Sequence, residues 1–129
     1  MTVAESAGVF LGTDETTGVT IANNANTSSS EIDMLGGTTS EGWINYFLKF
    51  TSTVTAGTMD IKLMKSRVTG QAYTDQAAIV ASWAPINGTQ KIGLGEFQIG
   101  RFMTANAANN ATGASATNVT VGYEQFKES

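Results

Sequence analysis

Glu31 and Asp33 stand two residues apart. On a β-strand that spacing puts both carboxylates on one face, about 7 Å from each other. A pair of acids at such a distance can serve a glycosidase or begin a calcium site. No neighbouring motif completes either one, and the commoner role of such a pair is a solvated strand face. Asp14-Glu15 falls in a Gly/Thr-rich turn, where short polar residues bond to their own backbone. Asp60 stands alone in an alternating run. The chain has no histidine and no cysteine, so imidazole bases, thiol nucleophiles, zinc–thiolate sites and disulfides are all excluded. Gly93-Leu94-Gly95 lacks the further glycine, the lysine and the helix of a phosphate loop. No Gly-x-Ser-x-Gly elbow is present. The residues therefore point away from an enzyme, and imply no cofactor and no metal.

Charge is sparse. Seven basic and eleven acidic side chains give a net charge of -4, which argues against nucleic acid as a partner. Charged residues make up 14% of the chain, against about 25% in an average domain. Lys62, Lys65 and Arg67 cluster within six residues, and Lys49 is expected across a hairpin from them. These four are candidates for contact with an acidic partner surface, or else a charged outer face that keeps a sheet soluble. The aromatics Trp43, Tyr46, Phe47 and Phe50 occupy both faces of one expected strand. A central strand covered on both sides, a subunit interface and a sugar-binding platform would each account for them. Candidate interface residues are thus Trp43, Phe47, Lys49, Lys62, Lys65 and Arg67. A sugar platform would draw on Trp43, Tyr73 and Trp83.

Short apolar runs of period two, separated by Gly, Asn, Ser and Thr clusters, must position these residues. Expected strands include Val9–Leu11, Gly18–Ala22, Glu31–Leu35, Trp43–Val54, Thr58–Met64, Gln90–Ile99, Arg101–Asn106 and Asn118–Phe126, and Ala77–Ala84 reads either as a strand or as one or two helical turns. Ala56-Gly57 reads as the turn of a hairpin joining residues 43–54 to 58–66. Val68–Gln76 reads as a connection and Ala107–Thr117 as a long loop without an apolar anchor. The expected core holds Ile44, Tyr46, Leu48, Phe50, Met59, Ile61, Leu63, Val119 and Val121. The fold class is all-β: a jelly roll or β-sandwich of about eight short antiparallel strands. The 129 residues make a single β domain with loose ends at 1–7 and 127–129. Met1–Phe10 has no secretory pattern, and no stretch approaches the roughly 18 apolar residues of a membrane span. No membrane is therefore expected, and synthesis in the cytoplasm is. Four Asn-x-Ser/Thr triplets, beginning at Asn26, Asn87, Asn110 and Asn118, are read as chance products of an Asn/Thr-rich chain.

Three segments carry a resemblance: Ser30-Glu31-Ile32-Asp33-Met34-Leu35-Gly36, the run Ala56-Gly57-Thr58-Met59-Asp60-Ile61, and Asn110–Glu124. Arg101-Phe102-Met103 before the last of these is similar to the closing strands of a phage jelly roll. In these the chain resembles small virion proteins of tailed bacteriophages, and most of all capsid cement, or decoration, proteins. The resemblance implies a structural protein, commonly a homotrimer, made in the host cytoplasm. It would bind the outside of the head and bridge major capsid subunits, without catalytic residues. The terminal segments Met1–Glu5 and Lys127–Ser129 join the basic residues as expected shell contacts. A carbohydrate-binding module and a tail or baseplate component are the alternatives.

Overall fold

The computed structural model describes residues 2–13, 17–33, 43–53, 55–66, 79–98 and 102–128. Among these residues ten strands form: β1 (Thr2–Leu11), β2 (Val19–Ile21), β3 (Asn26–Ser28), β4 (Ile32–Asp33), β5 (Trp43–Ser52), β6 (Thr58–Ser66), β7 (Ile79–Trp83), β8 (Gly88–Gln98), β9 (Phe102–Asn110) and β10 (Ala116–Glu128). No helix occurs among the described residues. A front sheet runs β1-β10-β5-β8, with β2 also on β10. A back sheet runs β3-β9-β6-β7, with β4 also on β9.

The pairings are nested. Thr2 lies opposite Glu128, Ile32 opposite Met103, Ser52 opposite Gly88 and Met59 opposite Trp83, all antiparallel. The described strands form one long nested hairpin, rolled so that β10 comes beside β5 and β9 beside β6. That strand order is the jelly roll, a two-sheet sandwich. The expected all-β class is what forms. Of the loose ends expected at 1–7 and 127–129, Thr2 and Val3 pair with Glu128 and Lys127.

Alternation places the core. All nine residues expected inside are buried: Ile44, Tyr46, Leu48 and Phe50 from β5, Met59, Ile61 and Leu63 from β6, Val119 and Val121 from β10. A bulge between Val9 and Leu11 lets consecutive residues Phe10 and Leu11 both join them. The Phe10 ring packs on Tyr123, centroids 4.9 Å apart. Burial raises the pKa of Tyr46 and of Tyr123, because the phenolate would lose its water.

Two sequence expectations are corrected. The β5–β6 hairpin does not exist: β5 pairs with β10 and β8, and β6 with β9 and β7. The chain instead passes from the front sheet at Ser52 to the back sheet at Thr58. Leu48 and Phe50 then share one core with Met59, Ile61 and Leu63 as residues of opposite sheets. Period two specifies a buried face in either arrangement and cannot separate a hairpin from an arch. Gly57 makes the arch possible. Its φ is +69°, and a Cβ there would overlap the Asn110 carbonyl oxygen.

The long loop expected from Ala107 is the second correction. β9 continues to Asn110, and Ala105 and Ala107 are fully buried. Asn109, also fully buried, ends the strand as a cross-link. Its Nδ2 donates to the carbonyls of Ile21 (3.0 Å) and Ala114 (2.8 Å), and its Oδ1 accepts from Thr112 Oγ1. Asn23 and Asn24 accept from the backbone amides of Gly113 and Ala111. The asparagine-rich stretches are thus loop fasteners.

Candidate functional site

The two outer faces are built differently, though both follow from alternation. On the back sheet, Asn106 Nδ2 donates to Asn26 Oδ1 (3.0 Å) and Ser28 Oγ (2.9 Å). Asp60, only 7% exposed, accepts from Ser82 Oγ and from Asn110 Nδ2. Lys62 stands between core residues Ile61 and Leu63 and therefore faces outward on this sheet, opposite Asn106 in register. These amides, hydroxyls and the Asp60 carboxylate bond within the face, while the Thr104 hydroxyl between core residues Met103 and Ala105 is buried without a hydrogen-bond partner.

The front face has a different texture. Reading across β10, β5 and β8, the register sets Thr120, Lys49 and Lys91 in one row. The next row is Gly122, Phe47 and Gly93, and the one after it Glu124, Asn45 and Glu96. A Thr117, Thr51, Thr89 row lies beyond the lysines, with Thr51 and Thr89 hydroxyls 2.8 Å apart. A basic row and an acidic row therefore flank an almost bare one. Phe47 is 9% exposed although it points away from the core. Its ring lies over Gly122, where a Cβ would collide with it. The Lys91 ammonium sits 4.5 Å from the ring centroid, a cation–π contact. Two lysines directly opposite each other, Lys49 and Lys91, repel on an isolated sheet.

The corner between β7 and β8 holds the exposed large apolar side chains among the described residues: Trp83 at 36% and Ile86 at 55%. Gln90 fixes them. Its Oε1 accepts from the Trp83 indole N–H (2.9 Å) and the Ile86 amide (3.1 Å), and its Nε2 donates to the Ile86 carbonyl (2.8 Å). The indole is held at one angle with its only donor already used, so what it offers outward is apolar surface.

The sequence-derived candidates do not gather in one place. Phe47 and Lys49 are on the front face. Lys62 is on the back face, and exposed Lys65 lies near the end of β6. The expected Lys49–Lys62 patch therefore does not form, since it depended on the absent hairpin. Arg67, Tyr73, Asp14 and Glu15 lie outside the described residues, as does the Trp43 side chain. Asp33 is exposed on β4 and Glu31 is half-buried just before it. Among the described residues no three acidic side chains gather as metal ligands would. Lys91, Glu96 and Glu124 were not signalled by any motif. Only the three-strand register brings them into rows with Lys49, Phe47 and Asn45. Gln90 is equally silent in sequence, lying within a glycine-softened strand.

No protein-family model matches the chain, and no curated protein matches it. What the fold defines is a class, a jelly-roll β-sandwich domain.

Proposed function

We propose that this protein is a structural virion protein of the capsid cement, or decoration, type, binding the outside of a tailed-phage head and bridging major capsid subunits. The observation that supports it best is the rolled hairpin itself. Jelly rolls serve as capsid and lectin domains, and the segments that resemble phage virion proteins supply strands of this one. A mesh of paired amides and hydroxyls on the back sheet suits close packing among many copies, because it adds little like-charge repulsion. Each contact can be modest when many copies sit on one lattice. The partners in this proposal are the major capsid protein and further copies of the chain, and no catalytic residue is required.

Mixing purified protein with heads that lack it, then pelleting the heads, tests the proposal. Saturable co-sedimentation, with greater resistance of the heads to heat, is the expected result. Absence of binding at saturating protein would overturn it.

A second reading, carbohydrate binding, is favoured by one feature: the pinned Trp83 indole beside exposed Ile86, Asn87 and Thr89. A rigid apolar ring with amide and hydroxyl neighbours is what a sugar ring stacks on. Retardation on a polysaccharide gel that Trp83→Ala abolishes would transfer the case to this reading.

A further inference from the structure

The front face is complementary to itself. Its basic row (Lys49, Lys91) and acidic row (Glu124, Glu96) lie on opposite sides of the Gly122–Phe47–Gly93 row. Each is about 7 Å from it, two residues of strand or slightly more. A two-fold axis running along that middle row exchanges the outer ones. A second copy turned about it would set its Glu96 against Lys91 and its Glu124 over the Thr120 position, beside Lys49, since Thr120 itself is fully buried. Its Asn45 would meet Lys49, with an acid to either side. Turning the copy about the perpendicular in-plane axis would set lysine on lysine, so charge selects one orientation. The bare glycine of the middle row lets the faces approach, and Phe47, flattened over Gly122, does not stand in the way.

We infer that the front faces of two copies of this chain form an isologous, two-fold contact in which Lys49 and Lys91 of each copy meet the Glu96–Asn45–Glu124 row of the other. The inference stands on the register alone and does not need the virion reading. It also differs in symmetry from the trimer that the resemblance implies, since a face complementary to itself closes at two copies.

The other way to bring Lys91 to a second copy's Glu96 is edge-to-edge pairing of β8 with β8. That pairing is centred between Gly93 and Leu94, and Leu94 is the bulge against β5. A bulge at that point breaks the ladder such an edge would need, and it leaves Lys49 and Glu124 without a role.

Three strands about 4.8 Å apart and four rows about 7 Å apart make a patch of a few hundred Å² a side, at the low end of specific interfaces. Association should therefore be weak, concentration-dependent and reduced by salt.

Sedimentation velocity over a concentration series of the full chain, at low and high ionic strength, tests this. A monomer–dimer equilibrium that salt weakens is expected. Lys91→Glu and Glu96→Lys should each weaken it by at least about tenfold, and the double reversal should restore it. Lys49→Glu and Glu124→Lys should weaken it too. Circular dichroism of each variant reports the fold, and recovery in the double reversal separates a lost contact from a lost structure. A monomer at every concentration, a trimer, or reversals that do not rescue each other would overturn the inference. Sensitivity to Lys91 and Glu96 but not to Lys49 and Glu124 would overturn it in favour of the β8 edge.

Discussion

The two outer faces arise from the same rule, alternate residues turned away from one core, yet they dispose of their polarity in opposite ways. The back face spends its polar groups on itself. Asn26, Ser28 and Asn106 bond to one another, and Asp60 is held by Ser82 and Asn110. The front face sorts unlike charges into separate rows and leaves glycine between them. Polar groups that are mutually satisfied contribute to the fold and offer little to a partner. Charges segregated across a bare strip contribute little to the fold and much to recognition. Substitutions should therefore divide: costly to stability on the back face, nearly silent on the front.

The core beneath both faces sets the scale. Leu48→Ala should destabilise by about 2–5 kcal/mol, measured by urea unfolding, because Leu48 is fully buried among residues of both sheets. Asp60→Ala on the back face comes next, at about 2–3 kcal/mol. It removes one acceptor from two donors, and bonds to a charged group are worth more than neutral ones. A loss under about 0.5 kcal/mol would mean that the mesh is ornament and the contrast false. Gly122→Ala on the front face should cost about 1–3 kcal/mol by displacing the Phe47 ring. Combined with Phe47→Ala, it should cost much less than the sum, since the collision is then gone. Glu96→Gln and Lys49→Ala should each shift stability by no more than about 0.5 kcal/mol. An effect above 1 kcal/mol would show the charged rows holding the fold itself.

The smallest change at neutral pH belongs to Tyr123→Phe, and it should become visible only in alkali. Burial raises the Tyr123 pKa above its ordinary value of about 10. The folded state then holds the phenolic proton more tightly than the unfolded chain does. The resulting stability is complete below pH about 10 and falls as pH rises through the folded pKa. Wild-type protein should lose stability above pH 10 more steeply than the variant, as followed by tyrosinate absorbance and circular dichroism together. Equal slopes would indicate that Tyr123 ionises without penalty.

Much of the fold was legible because period two is a strong signal wherever one face is apolar. Every residue expected in the core from β5, β6 and β10 is buried there. Pairing was not legible. Trp43–Ser52 and Thr58–Ser66 carry the same alternation whether they lie side by side or in opposite sheets, and their true partners are tens of residues away. The end of β9, Ala107–Asn110, was missed because Ala107 packs the core with almost no apolar mass, and Asn109 does it with an amide. Of the candidate site, Phe47 and Lys49 were legible from strand position. Lys91, Glu96 and Glu124 gain meaning only in register, which no local motif encodes. Trp83 was visible as an aromatic, but not the Gln90 side chain that holds it.

The nested register has a consequence for how the protein comes into being. β1 pairs with β10, and β3 and β4 with β9, so each early strand waits for a late one. During synthesis the first half of the chain must remain open, its backbone donors and acceptors unsatisfied except by water, until the second half has left the ribosome. The innermost pairing, β6 with β7, closes the shortest loop and is the natural place to begin. The rest then closes outward, each new pairing spanning a longer stretch of chain whose middle is already folded, and the first strand made is among the last to find its place. A sequence rich in Thr, Ser and Asn, and poor in long apolar runs, is suited to that wait, since such a nascent chain has little to aggregate with.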